Sequence, residues 1–529
     1  MTRISLPEIP EEDRSPVINM LLKVIEEQQL AIQKLESKIS SLEDEIKRLK
    51  KHKGKPNIKP SQMNKNPGGG NGASNAKRPG SSKRSKTCQL QIHKEEIIKA
   101  ENVPPGAKFK SFDEFIVQDL EIRVMNTRFK LERWKLPGGG YLVGKLPAYL
   151  KNRHYGPTLV SYALHQYHHQ DVTQPLLLDQ LREWKVDISS GKLNQLLIED
   201  QDLFHEEKNG LLKVGLSVSQ YIHVDDTGAR HKGKNGYCTH IGNELFAWFE
   251  STPSKSRINF LELFRAEKKD YRVDENALDY MKKQRLPKNQ LELLEKHTGL
   301  FDSKEVWEQH LKSLEISSAH HYRIATEGAL IGSILSNGFN IDLAIISDDA
   351  GQFNIFQHAL CWIHAERKIN ELIPLNPMHA AAIDGIRNFF WLFYNDLKEY
   401  KKSPSEEKKK LLGQQFDALF STETCFETLN QVLKRLKKNK SELLLVLERP
   451  ELSLHNNLSE NDIRGYVKRR KVSGGTRSDE GRRCRDTFAS LKKTCKKLKV
   501  RFWDYLQDKI RGENKIPPLP DMISQAAKA

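Results

Sequence analysis

Five acidic residues stand out by type and spacing: the doublet Asp225 and Asp226, the doublet Asp348 and Asp349, and Glu460. Each doublet ends an apolar, β-branched run (YIHV and LAIIS), which puts it at the expected end of a strand, whereas Glu460 falls in LHNNLSENDIRGYVKRRK, near the start of an expected helix. Carboxylates drawn from two strand ends and a helix suit phosphodiester chemistry with two divalent ions about 3.5 to 4 Å apart, one for the attacking and one for the leaving oxygen. Mg²⁺ is hard and takes oxygen ligands, as this set offers. Residue types alone leave both members of each doublet open. Arg464 and Lys468 follow Glu460 by four and eight residues, roughly on one helical face, where they could hold DNA phosphates beside the acids. Cys361 and His364 form a CxxH pair, but two ligands make no closed zinc site, so a buried thiol with His364 near the active site is the expectation.

The elements that must position these residues can be read from periodicity. SQYIHVDDTG, YCTHIGN and LFAWFEST read as three meandering strands, and RINFLELFRA as a helix. IATEGALIGSIL then leads through NGFN into the strand IDLAIISDDAG, and HALCWIHAERKI reads as a short strand entering a helix. The order is the layout of a ribonuclease H-like fold, in a mixed α/β, multidomain chain. Between Lys368 and Glu460 lie about ninety residues of helical periodicity, an all-helical insertion whose stripe Phe389, Phe390 and Phe393 is expected to be core.

The segments HVDDTG, SDDAGQF, CWIHAERK and NNLSENDIR resemble the blocks of the large transposase of the insertion-sequence 66 family, bacterial DDE transposases; YGPTLVSY and VDISSGKL add to the match. The resemblance covers most of the chain. It implies Asp225, Asp348 and Glu460 as catalytic and metal-ligating triad, two Mg²⁺ or Mn²⁺ ions, transposon-end and target DNA as substrates, and in some relatives small accessory proteins. It also selects Asp225 and Asp348 within their doublets. Three features depart from the family pattern. Only Cys88 stands where relatives carry a cysteine-rich module, so no zinc is expected; Asn461 replaces the usual arginine after the glutamate; and residues 268 to 320 look additional.

Charge supports a polyanionic partner. The 86 basic and 69 acidic residues leave +17, but residues 51 to 87 hold ten basic residues and no acid, and 461 to 501 hold fifteen against four. The remainder is weakly acidic, so the positive charge is local. Arg469, Arg470 and Lys471 extend the second block as candidate DNA contacts. Helices over 157 to 200 have helix-turn-helix spacing, with Lys192 and Asn194 near the start of the last one as candidate groove contacts; three packed helices without DNA contact fit equally. Ile18, Ile25, Ile32, Ile39 and Ile46, with Leu21, Gln28, Leu35, Leu42 and Leu49 three residues on, form a heptad pattern suited to a parallel two-stranded coiled coil and hence a homodimer or higher oligomer.

The expected organisation is a coiled coil (1–50), a disordered basic linker (51–87), a small β-rich module (88–150), a helical region (151–215), a catalytic core (216–375) and the helical insertion (376–450). The core then resumes with its glutamate helix and basic part (451–510), before a tail (511–529). With 529 residues the chain exceeds one core, and a mean hydropathy of −0.64 without an apolar run of about 18 residues argues against a membrane protein. Six cysteines without a CxxC pair suggest reduced thiols. The start, MTRISLPEIPEEDRS, lacks a signal-peptide pattern, which makes the cytoplasm or nucleoid the expected location. Two other functions fit the same residues: a ribonuclease H-like nuclease or resolvase without strand transfer, and an inactive DNA-binding relative.

Overall fold

The computed structural model describes residues 90–150, 153–266 and 268–528. The heptad segment, the basic linker and Cys88 lie outside the described residues. The chain divides into two units, the first ending at Glu121 and the second starting at Ile122. In the first, residues 90–121 contain no helix or strand, and apolar side chains such as Ile98 and Phe115 are exposed. The strands expected from residue 112 are confined to a hairpin in the second unit, β1 (Arg133–Lys135) with β2 (Tyr141–Val143), antiparallel across the glycine turn. An alternating apolar pattern makes a strand only where a partner and a core can cover it, and both strands of this hairpin are exposed.

Four helices follow: α1 (Pro157–Leu164), α2 (Gln174–Glu183), α3 (Ser190–Ile198) and α4 (Asp202–Val218). Proline opens α1, and the Ser189 hydroxyl accepts the Lys192 N–H at 3.1 Å to start α3. The central sheet comes next. β3 (Tyr221–His231), β4 (Lys234–Gly242) and β5 (Ala247–Thr252) form an antiparallel meander followed by α5 (Arg257–Phe264).

The additional segment contributes β6 (Tyr271–Val273), α6 (Glu275–Lys283), α7 (Lys288–Lys296), β7 (Gly299–Phe301) and α8 (Lys304–Ser313), with β6 and β7 paired. Its Tyr271, Met281 and Trp307 share one core with the next helix, α9 (Ala319–Ser336). Gly332 permits that contact, since a Cβ there would lie 2.4 Å from the Arg272 carbonyl oxygen. β8 (Ala344–Ser347) and β9 (Gln357–Leu360) then join the sheet in parallel, giving the order β5-β4-β3-β8-β9.

After α10 (Trp362–Asn370), the helices α11 (Pro377–Lys402), α12 (Glu406–Phe420) and α13 (Glu427–Lys438) and the single turns α14 (Lys440–Leu443) and α15 (Leu445–Glu448) pack around Trp362 in a core of their own. Phe390 and Phe393 are in that core, but Phe389 is 63 % exposed, a correction to the expected stripe: adjacent helical positions point about 100° apart. The chain ends with α16 (Asn457–Ser473), α17 (Asp479–Lys497), α18 (Phe502–Arg511) and α19 (Leu519–Ala526). Among the described residues no helix is long and apolar enough to cross a membrane.

The sheet is covered on both faces, and alternation decides which residue meets which layer. Ile222 and Val224 of β3 enter the main core with α5 and α9, whereas Ala229, with Cys238 and Phe249, packs against Ile463 and Tyr466 of α16.

Candidate active site

Asp225 and Asp226 sit in the middle of β3 rather than at its end, contrary to the sequence expectation. The long β3–β4 hairpin carries the strand on to His231. On its other side, however, β3 pairs with β8 only over Tyr221–His223, so Asp225 lies just beyond the parallel pairing. Asp348 directly follows β8, and the register Tyr221 to Ala344 and His223 to Ile346, carried one step further, sets Asp225 beside Asp348. Glu460 is in the first turn of α16.

Strand face and charge relate Asp225 to the glutamate helix. His223 shares a strand face with Asp225, and its Nδ1 lies 2.9 Å from Oδ1 of Asn456, the cap of α16. His240, opposite Asp225 on β4, has Nδ1 2.6 Å from the Ser459 hydroxyl. Asp225 therefore faces the glutamate helix. Burial, reinforced by the carboxylates of Asp348, Asp226 and Glu460, pushes the Asp225 carboxyl up to about 7, against the pull of the Asp226 N–H that it accepts at 2.8 Å.

The second members of the doublets are held by other partners. Asp226 accepts hydrogen bonds from the Thr239 hydroxyl at 2.5 Å and from Gln352 Nε2 at 2.9 Å; burial raises its carboxyl and these two bonds pull it back. Asp349 is ion-paired with Lys368 and with Arg435 at 3.0 Å, and accepts Asn439 Nδ2 at 3.2 Å. Asp348 accepts the Ala350 N–H at 3.1 Å.

Glu460 Oε1 lies 3.3 Å from Arg367 Nη2 and 3.5 Å from His364 Nε2, both on α10. Burial and Arg367 push His364 below its usual value. The neighbouring Cys361 is buried, its thiol raised to about 11 by burial, and it accepts the Asn456 N–H at 3.1 Å. Among the described residues no three Cys, His, Asp or Glu side chains already converge as a metal cage. The donors are nevertheless hard oxygens, and Asp225 is a buried carboxylate crowded by other carboxylates. Such a cluster fits divalent cations.

The candidate DNA contacts divide. Arg464, Lys468 and Lys471 are exposed along α16, lining a furrow of about 380 Å³ with Ile463 and Val467. Lys468 also reaches Asp171 at 3.3 Å. Arg469 is a correction: it is buried, donates to the Tyr167 carbonyl and lies 4.1 Å over that ring, because its helical position points into the core. Arg470 is half-buried and donates to the Gly228 carbonyl of β3, tying helix to strand. Lys192 is exposed beside Gln195 at 3.0 Å, and Asn194 lines a groove with α16. Sequence reasoning did not single out Arg367, Gln352, Thr239 or Asn456. The asparagine was visible in NNLSENDIR; the others had no signal without the fold.

Residues 319–483 match the family model described as "Transposase IS66 family". A protein of Sinorhizobium fredii (strain NBRC 101917 / NGR234), named only as uncharacterized protein y4jO, is 41 % identical over 323 residues, which is 60 % of this chain and the whole of that protein.

Proposed function

Since the chain belongs to the IS66 transposase family, we propose that it is a DDE transposase whose ribonuclease H-like core cuts DNA at the ends of an insertion sequence and joins the freed ends to target DNA. The sheet order, with its antiparallel meander and two parallel strands, supports the core assignment. The observation that carries the reading is that the charges of Asp348 and Glu460 act on the buried Asp225 carboxyl, with the three residues drawn from a strand end, a helix start and a strand.

In this reading those three carboxylates hold two Mg²⁺ or Mn²⁺ ions. When bound, the ions supply activation of the attacking oxygen and stabilisation of the leaving one. The protein's own part is orientation. Thr239 and Gln352 hold Asp226 away from Asp225, the Lys368–Arg435–Asn439 cluster fixes the loop after Asp348, and Arg464 with Lys468 holds the backbone of the cut strand. Water is the first nucleophile, and the released 3'-hydroxyl the second, in an in-line transfer that needs no covalent enzyme intermediate. Dimerisation through the heptad segment would pair two ends.

The deciding experiment incubates the full chain with DNA carrying the terminal inverted repeats of its element, target DNA and Mg²⁺. Joined products support a transposase; cut products alone make it a nuclease or resolvase; intact DNA that is still bound makes it an inactive relative.

A further inference from the structure

A groove of about 630 Å³ runs between the helical region and the second half of the glutamate helix; Asn194 and Arg469 line it, and none of the carboxylates of the candidate active site does. One wall is α2 and α3, with Gln174, Ser190 and Asn194; the other is α16, the loop after it and one side of α17 from Gly481 to Lys492. That loop is pinned to the end of β3: Thr476 N–H donates to the Arg230 carbonyl at 2.9 Å, and a Cβ on Gly475 would lie 2.5 Å from the same oxygen. The groove is therefore a built part of the fold.

Its charge is uneven. Arg469, Arg477, Arg485 and Lys492 line it against a single lining acid, Asp179. The three inner cations are spent mostly on neutral acceptors. Arg485 donates to the Gly474 carbonyl at 3.0 Å and the Ser473 hydroxyl at 2.9 Å, Lys492 to the His168 carbonyl at 2.8 Å, and Arg469 to the Tyr167 carbonyl. Asp171, beside the groove, is shared among Lys468, Arg469 and Lys492 at 3.3 to 4.0 Å, and Asp479 and Glu480 stand at the start of α17 next to the lining residue Ser478. Arg477 is exposed, and among the described residues no acid or hydrogen-bond acceptor holds it. Crowded cations on neutral partners, with hydroxyls and an amide opposite, are what an anionic, hydrogen-bonding chain requires.

We propose that this groove is a second DNA-backbone site, which takes the sugar–phosphate chain of one strand away from the point of cleavage. Gly465 and Ser473 line it five and thirteen residues after Glu460, about 8 to 20 Å along the helix at 1.5 Å per residue. At about 3.4 Å of axis per nucleotide, that is roughly two to six nucleotides from the scissile phosphate. This distance rests on the function proposed above; the groove's affinity for a phosphodiester chain does not.

The test measures binding of the full chain to a 20-base-pair duplex of arbitrary sequence in chelator, by anisotropy across a salt series, so that no cleavage is involved. Arg477→Ala should weaken binding and reduce the log-log salt slope by about 0.9, and Arg477→Glu should do about twice as much. Ser190→Asp tests the opposite wall. An acid in the first turn favours the helix, so the fold survives, yet it puts a negative charge in the groove and should weaken binding severalfold. Parental affinity and slope in Arg477→Glu would overturn the proposal, and so would an effect of Arg477 with none from Ser190→Asp. Asp225→Asn serves as the reference. If the parent cuts nothing but both groove variants lose affinity, the groove stands and the transposase reading falls; if it cuts while neither variant differs, the reverse holds.

Discussion

Arg435, carried by the inserted helical layer, places Nη2 3.0 Å from Oδ2 of Asp349, 86 residues earlier in the chain. Lys368 and Asn439 share the same carboxylate, so Asp349 braces the loop after β8 against the insertion, while no cation among the described residues pairs with Asp348, one residue before it. Asp348→Asn should abolish cleavage, since even partners of metal ligands cost roughly 10- to 100-fold. Asp349→Asn should instead cost about 1 to 3 kcal/mol of stability and keep activity within about tenfold. Cleavage assays beside denaturant melts decide it; an active Asp348→Asn with a dead Asp349→Asn reverses the assignment.

The raised carboxyl of Asp225 makes a pH prediction for the metal-free protein. A group raised from 3.8 to about 7 binds, in the fold, a proton that the unfolded chain has released, so stability is lost as pH climbs from about 4 through 7. At pH 8 in chelator, Asp225→Asn should melt higher than the parent, by at most about 4 kcal/mol. At pH 4 the difference should vanish. A gain of equal size at both pH values would mean that the carboxylate is not the source.

Much of the architecture was legible because periodicity reports burial. The runs around Val224, Phe249 and Ile346 became the sheet, and α5, α9, α10 and the inserted helices α11 to α13 lie where the apolar spacing put helices, whereas α6 and α7 of the additional segment were not read from it. What failed depended on partners distant in sequence. Residues 112–132 alternate like a strand but have no neighbour strand, and Arg469 looks like its basic neighbours until the helix is rotated against Tyr167. The mid-strand placement of Asp225 depends on where β8 stops pairing, which no local pattern records. Glu460 was legible near a helix start, but its contacts with Arg367 and His364 were not, because α10 lies more than ninety residues away.

Arg367 competes for the carboxylate of Glu460, at 3.3 Å. An exposed arginine gives little net energy to such a pair, yet it offers the acid an alternative to a metal. Arg367→Gln should lower the Mg²⁺ concentration for half-maximal cleavage by a few-fold, with thermal stability within about 0.5 kcal/mol of the parent. An Mg²⁺ titration of the cleavage rate shows it. An unchanged midpoint would mean that Arg367 does not compete.

Asn456 ties the carboxylate-bearing elements together, and its removal should damage cleavage more than its effect on stability explains. It is fully buried. Its Nδ2 donates to the Val224 carbonyl at 2.8 Å, its Oδ1 accepts from His223 Nδ1 at 2.9 Å, its N–H meets Cys361 Sγ, and its carbonyl accepts the Glu460 N–H at 3.2 Å. One side chain thus fixes the start of the glutamate helix to the strand immediately before Asp225. Asn456→Ala leaves a carbonyl and an imidazole unpaired, at about 1 to 3 kcal/mol each. A comparable loss comes from Leu294→Ala, a buried position on α7, at about 2 to 5 kcal/mol. Well below both melting temperatures, Leu294→Ala should cut at the parental rate. Asn456→Ala should cut at least about tenfold slower at saturating DNA and need more Mg²⁺, since small displacements within such a site cost up to about a hundredfold. DNA affinity in chelator should be parental for both. If the two variants lose activity in proportion to their stability, Asn456 supports the fold alone and does not position Glu460.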